Sequence, residues 1–97
     1  MKISFKLYGV FRSAAGSGNI QLELLDSAST VRTAIMQLVS YPVYRGVRQL
    51  LLDQDTTDPR PNALIMVSGR EIGTLEGLDT KLGDSDEVSL LPIAHGG

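Results

Sequence analysis

The residues best suited to chemistry in this 97-residue chain are the last four, Ala94-His95-Gly96-Gly97. Glycine has no Cβ, so a glycine pair threads narrow channels and takes backbone angles closed to other residues. At an average glycine usage of about 7%, a terminal pair arises by chance in roughly 0.5% of chains. Such an ending makes the carboxylate of Gly97 reachable chemistry, with Gly96 and His95 as its arm. The competing reading is a frayed, solvated tail. Other chemistries fare worse. The chain has no cysteine, which excludes disulfides, thiolate-bound zinc, iron–sulfur clusters and a cysteine nucleophile. His95 is the single histidine, a thin basis for general acid–base work or a metal site. Asp53, Asp55 and Asp58 lack the glycine and closing glutamate of a calcium loop and read as a solvated acidic loop. No glycine-rich phosphate loop of the strand–loop–helix type is present, so no bound cofactor is expected.

A body must position that arm, and hydropathy periodicity outlines one. Ile3, Phe5 and Leu7 alternate with Lys2, Ser4, Lys6 and Tyr8, the pattern of a half-buried strand. A loop punctuated by Gly16, Ser17, Gly18 and Asn19 follows. Ile20 to Leu24 is a second strand, placed antiparallel to the first. Val31, Ala34, Ile35, Leu38 and Val39 then mark a helical stripe, with Ser29 as the expected N-cap and Pro42 stopping the helix near Ser40. Arg45 to Leu52 permits a short second helix. Asp53 to Asn62 carries no apolar anchor and reads as a mobile loop. Ala63 to Val67 is apolar throughout, so both of its faces are expected to be covered. Ser68-Gly69 is a tight turn into a return strand, Arg70 to Ile72. Leu75, Leu78 and Leu82 anchor compact turns. Glu87 to Pro92 is the last strand, ending at Pro92 because proline has no N–H to donate.

One domain spanning residues 1–97 is expected at this length. Nine Lys and Arg stand against eleven Asp and Glu, with no basic run, so there is no electrostatic footprint for direct nucleic-acid binding. No apolar segment approaches the ~18–20 residues of a membrane span, and no signal peptide is visible. The absence of cysteine fits a cytoplasmic location.

The order hairpin, helix, strands fits an α+β β-grasp fold: a mixed four- to five-stranded sheet with one main helix on one face. The first and last strands then run parallel in the middle of the sheet. Residues 93–97 project as a flexible tail reaching at most roughly 17 Å. Strand parity predicts that Leu91, Met66 and Tyr8 point to the side away from the helix. There they form an exposed apolar patch beside the tail, with Ile93 at its start and Arg12 and Arg70 at the rim. The alternatives are that segment 43–62 covers Leu91 and Met66, and that Arg12 is an ordinary solvated loop arginine.

Several stretches carry a family likeness. Arg60-Pro61, Leu64 to Val67, Leu75 to Leu82, Asp84 to Val88 and His95-Gly96-Gly97 resemble the ubiquitin-related modifier family, the sulfur-carrying branch of ubiquitin-like proteins. Leu7 to Gly16 is similar to the first strand and loop of the MoaD family of molybdopterin synthase small subunits. Asp86-Glu87-Val88, Leu91-Pro92 and Gly96-Gly97 are common to both, and small archaeal modifier proteins share them within the wider MoaD/ThiS superfamily. The resemblance implies a carrier, not an enzyme. An E1-like adenylating enzyme would use ATP to activate the Gly97 carboxylate. A sulfur donor would then convert it to a thiocarboxylate for tRNA thiolation, or a target-protein lysine would form an isopeptide bond with it. The runner-up partner is the molybdopterin synthase large subunit. A passive ubiquitin-like interaction module is the remaining alternative. His95 would pack in the channel of the activating enzyme.

Overall fold

In the computed structural model, residues 1–52 and 57–93 are described. Strand β1 (Lys2–Leu7) buries Ile3, Phe5 and Leu7 and turns Lys2, Ser4 and Lys6 outward. It pairs antiparallel with β2 (Asn19–Glu23), which buries Ile20 and Leu22. β5 (Glu87–Pro92) lies parallel to β1 on its other side, with Phe5 opposite Val88 and Leu7 opposite Leu90. β3 (Ala63–Val67) is antiparallel to β5 and to the two-residue β4 (Arg70–Glu71). The strand order β2-β1-β5-β3-β4 puts the first and last strands at the centre. This is the β-grasp arrangement.

Helix α2 (Val31–Ser40) crosses one face of the sheet and buries Val31, Ala34, Ile35, Leu38 and Val39. Its N-cap is Thr30 rather than the expected Ser29. The Thr30 hydroxyl accepts the Thr33 N–H at 3.3 Å, and the Thr33 hydroxyl accepts the Thr30 N–H at 2.9 Å, a reciprocal capping box. Ser29 is buried, and its hydroxyl already donates to the Asp26 carbonyl, so it is committed to the preceding turn. Tyr41 is extended before Pro42, as the steric clash of proline with a preceding helical residue requires. A 3-10 turn over Pro42–Tyr44 leads into α3 (Arg45–Leu51), whose Val47 and Leu51 are fully buried. Segment 43–52 therefore packs on the helical side, not over the outer face of the sheet.

Four further expectations are corrected. The stretch after β1, read as a loop, is helix α1 (Gly9–Ala15), with Phe11 in the core and Gly16 closing it at φ 77°. β3 is covered on one face only: Ala63, Ile65 and Val67 are buried, while Leu64 is exposed and Met66 half-buried. The run before β3 is anchored from residue 57 onward. Pro59 is buried, and Arg60 makes a two-pronged bond to Asp58, whose carboxylate also accepts the Arg60 N–H. Asp53 and Asp55 lie outside the described residues. The β3–β4 turn uses Ser68 at φ 47° and Gly69 at φ 87°. Two left-handed residues match the twist of a two-residue hairpin. The return strand is shorter than expected, because Ile72 already begins a 3-10 turn.

Candidate functional site

The site is built where β5 leaves the sheet. Central placement holds this strand on both sides, so its direction of exit is set by two ladders. Three further contacts fix the root of the tail. The Ile93 N–H donates to the Asn62 carbonyl at 3.1 Å, one bond beyond Pro92. The Asn62 side-chain amide donates to the Leu51 carbonyl at the end of α3, at 3.0 Å. Gly9, at φ 54°, lies so close to Pro92 that a Cβ there would stand 2.8 Å from the proline ring. Glycine is required at that position both by its backbone angle and by the approach of the ring. Ile93, expected as the first residue of the flexible tail, is therefore tied to the body. Ala94, His95, Gly96 and Gly97 lie outside the described residues.

Beside this root the open face of the sheet carries an apolar cluster. Leu91 is paired directly with Leu64, and the Tyr8 N–H donates to the Leu90 carbonyl at 3.2 Å, which brings Tyr8 alongside Leu91. Ile93 has the same parity two residues on. Tyr8 (43% exposed), Leu64 (40%) and Ile93 (42%) face solvent, and Leu91 is half-buried. Met66 belongs to the next row down, where it and Lys6 flank Ser89. Lys6 is paired with Glu87 at 3.5 Å. Four of the sequence-selected residues, Tyr8, Met66, Leu91 and Ile93, thus share one face. Leu64 was missed, although its even parity with Met66 was readable; the all-apolar run suggested a strand covered on both sides.

Arg12 is not part of this cluster. It sits on α1 with its side chain against Gly18 at the entry to β2, close enough that a Cβ on Gly18 would meet the Arg12 Nε at 3.2 Å. β2 and β3 are separated by two strands. Arg70 lies in β4 opposite Val67, in the row of Val88 near the start of β5, and so is also away from the tail root. Helix formation over 9–15 is what carries Arg12 off the rim.

The turn that presents the Asn62 carbonyl to Ile93 is itself held by the Asp58–Arg60 ion pair, at 2.7 Å. The guanidinium of Arg60 holds the Asp58 carboxyl below the usual carboxylate range. A carboxyl depressed in the folded state stabilises that state above its unfolded pKa and loses the contribution as pH falls through the folded value. Asp58→Asn is therefore expected to lower Tm at neutral pH by no more than a few degrees, because the pair is partly exposed. Its Tm should converge on wild type as pH drops below 3.8, the ordinary carboxyl value. Thermal melts across acid pH check this; a constant offset would assign the loss to something other than charge.

Among the described residues no helix is long and apolar enough to cross a membrane. No protein-family model matches the chain. The small archaeal modifier protein 3 of Haloferax volcanii is 30% identical over 97 residues, spanning 100% of both chains. The crystal structure of SAMP1 from the same organism superimposes with a TM-score of 0.83, at 21% identity and 100% coverage of both, a likeness of fold. The solution structure of small archaeal modifier protein 1 from Methanosarcina acetivorans gives a TM-score of 0.77, at 29% identity over 99% of this chain and 96% of that one. Matched end to end in sequence and sharing the β-grasp core, this chain belongs to the small archaeal modifier proteins.

Proposed function

We propose that this protein is a sulfur carrier and protein modifier that reacts at the Gly97 carboxylate. The observation that carries the reading is the root of the tail: a central strand held on both sides leads past an exposed apolar cluster toward Gly96-Gly97. An adenylating partner supplies ATP. A carboxylate oxygen of Gly97 attacks the α-phosphorus, pyrophosphate leaves, and an acyl-adenylate forms. A persulfide on a sulfur-donor protein then attacks the acyl carbon and AMP leaves. A second thiol of that donor breaks the resulting S–S bond, forming a disulfide on the donor and a thiocarboxylate here. The thiocarboxylate is the sulfur source for a tRNA uridine. Alternatively, a lysine amine attacks the activated carbonyl, expels the activating group and forms an isopeptide bond. No step needs a thiol in this chain, which accords with its lack of cysteine.

Intact-mass analysis after incubation with an adenylating enzyme of the same genome, ATP and a persulfide donor tests the reading. The expected result is the mass gain of one oxygen replaced by sulfur, located to Gly97. An unchanged mass under conditions that convert a known sulfur carrier rejects it. Retention by the molybdopterin synthase large subunit, with no thiolation of tRNA, would place the acceptor in pterin synthesis instead.

A further inference from the structure

Among the described residues, five of the eight exposed large apolar side chains, Tyr8, Val10, Leu50, Leu64 and Ile93, gather at one pole. Tyr8, Leu64 and Ile93 belong to the sheet face described above. Val10 (52% exposed) and Leu50 (44%) do not; they lie on α1 and α3. Contacts already given locate them. Gly9 against Pro92 puts the N-terminal end of α1 at the tail root. The bond from Asn62 to the Leu51 carbonyl puts the C-terminal end of α3 there too. The two helices meet side by side where a Cβ on Gly46 would lie 3.4 Å from the Ala14 methyl, so they run antiparallel. Val10 and Ala14 are four apart on α1, and Gly46 and Leu50 are four apart on α3, so each pair lines one helix face. Val10 and Leu50 therefore flank the same seam at its root end. Helices α1 and α3 bear Arg12, Arg45 and Arg48 and no carboxylate.

The geometry points to a second docking surface at this α1–α3 seam, which joins the sheet-face cluster to form an apolar collar on both sides of the tail root. The inference rests on the proposed activation at Gly97, and its occupant is the adenylating enzyme. The length of the arm is the reason. Only four residues follow Ile93, a reach of at most about 14 Å when extended. An enzyme whose reacting centre takes the carboxylate within that distance has to cover the ground around the root, and the helical seam borders that root. The other three lie away from the root: Leu25, 87% exposed, is just beyond the Lys2–Glu23 pairing and shares the Gln37 side chain with Tyr41, and Val43 precedes α3 at its end remote from Leu51.

The test is chain-dependent ATP–pyrophosphate exchange by the adenylating enzyme of the same genome. The double variant Val10→Ser/Leu50→Ser is compared with Leu25→Ser as an exposed apolar control, all three chains being checked by thermal melts. Truncating two half-exposed anchors is expected to raise KM for the chain about tenfold or more with kcat nearly unchanged, while Leu25→Ser matches wild type. If the double variant melts as wild type and its KM stays within twofold, the seam is no part of the docking surface, and the Gly97 reading stands. If wild type itself supports no exchange, the Gly97 reading fails first and the seam proposal falls with it. If sedimentation shows a wild-type dimer that the double variant loses, with KM unchanged, the seam's occupant is a second copy and the proposal is overturned.

Discussion

A chain ending at His95 is expected to melt as wild type and to lose adenylation altogether. Deleting Gly96 and Gly97 retracts the carboxylate by about 7 Å. It also places an imidazole-bearing residue where a side-chain-free one stood. Misplacement by about 1 Å can cost around 100-fold in rate, so the expected loss exceeds 1000-fold and reads as no turnover. Gly96→Val separates the two causes. It keeps the carboxylate at full reach but adds a branched side chain to the arm, and activation should fall at least 100-fold. Stability is expected to survive both changes, because the last described anchor of the chain to the body is the Ile93–Asn62 bond. Pyrophosphate exchange, thiocarboxylate mass and thermal melts together check the prediction. A passive ubiquitin-like module predicts the reverse: its partner would bind the truncated chain as well as the full one. Retained exchange by the truncated chain would end the case for Gly97.

Phe5→Ala should have the largest effect on stability. Phe5 is fully buried on β1 and sits in the row of Ile20 on β2 and Val88 on β5. Its removal leaves a cavity between the central strands and α2, where close-packed neighbours relax only partly. The cost is about 3–5 kcal/mol, against a total of about 5–15 kcal/mol for a typical domain. Urea unfolding should show the midpoint falling with little change in m. Function should fall with it, because β1 and β5 are the strands that aim the tail. A loss below about 1 kcal/mol would mean that the core repacks around the site. Ile65→Val, deleting a single methylene from a comparably buried position on β3, is the mild companion and should cost about 1 kcal/mol.

Legibility from the sequence followed length and regularity. β1, β2 and α2 announce themselves because each alternates or repeats over five to ten residues with a clean polar face. α1 was hidden because seven residues, two of them adjacent alanines, carry too little periodicity, and isolated helices that short do not form in water. It exists because Phe11 is drawn into the core and α3 covers Ala14. The capping residue was misplaced by one position for a related reason. Ser29 and Thr30 are both good caps in isolation; the choice falls to Thr30 because a turn at Asp26 claims the Ser29 hydroxyl.

The site divides in the same way. Strand parity assigned Leu91, Met66 and Tyr8 to one face, because side chains alternate along any strand whatever its neighbours. It could not say that β3 is half open, since that depends on which side of the sheet α3 occupies. Nor could it say that Arg12 swings to Gly18, or that Val10 and Leu50, forty residues apart, flank one seam.

What the sequence determined by itself is local and periodic: the strands, the long helix, the parity of each face, the glycine pair at the end. What only the tertiary structure decided is adjacency across the chain: Gly9 beneath Pro92, Asn62 joining Ile93 to α3, and the collar around the root of the tail. The physical reason is that periodicity is imposed by backbone geometry one residue at a time, whereas these contacts exist only after β5 has been inserted between β1 and β3.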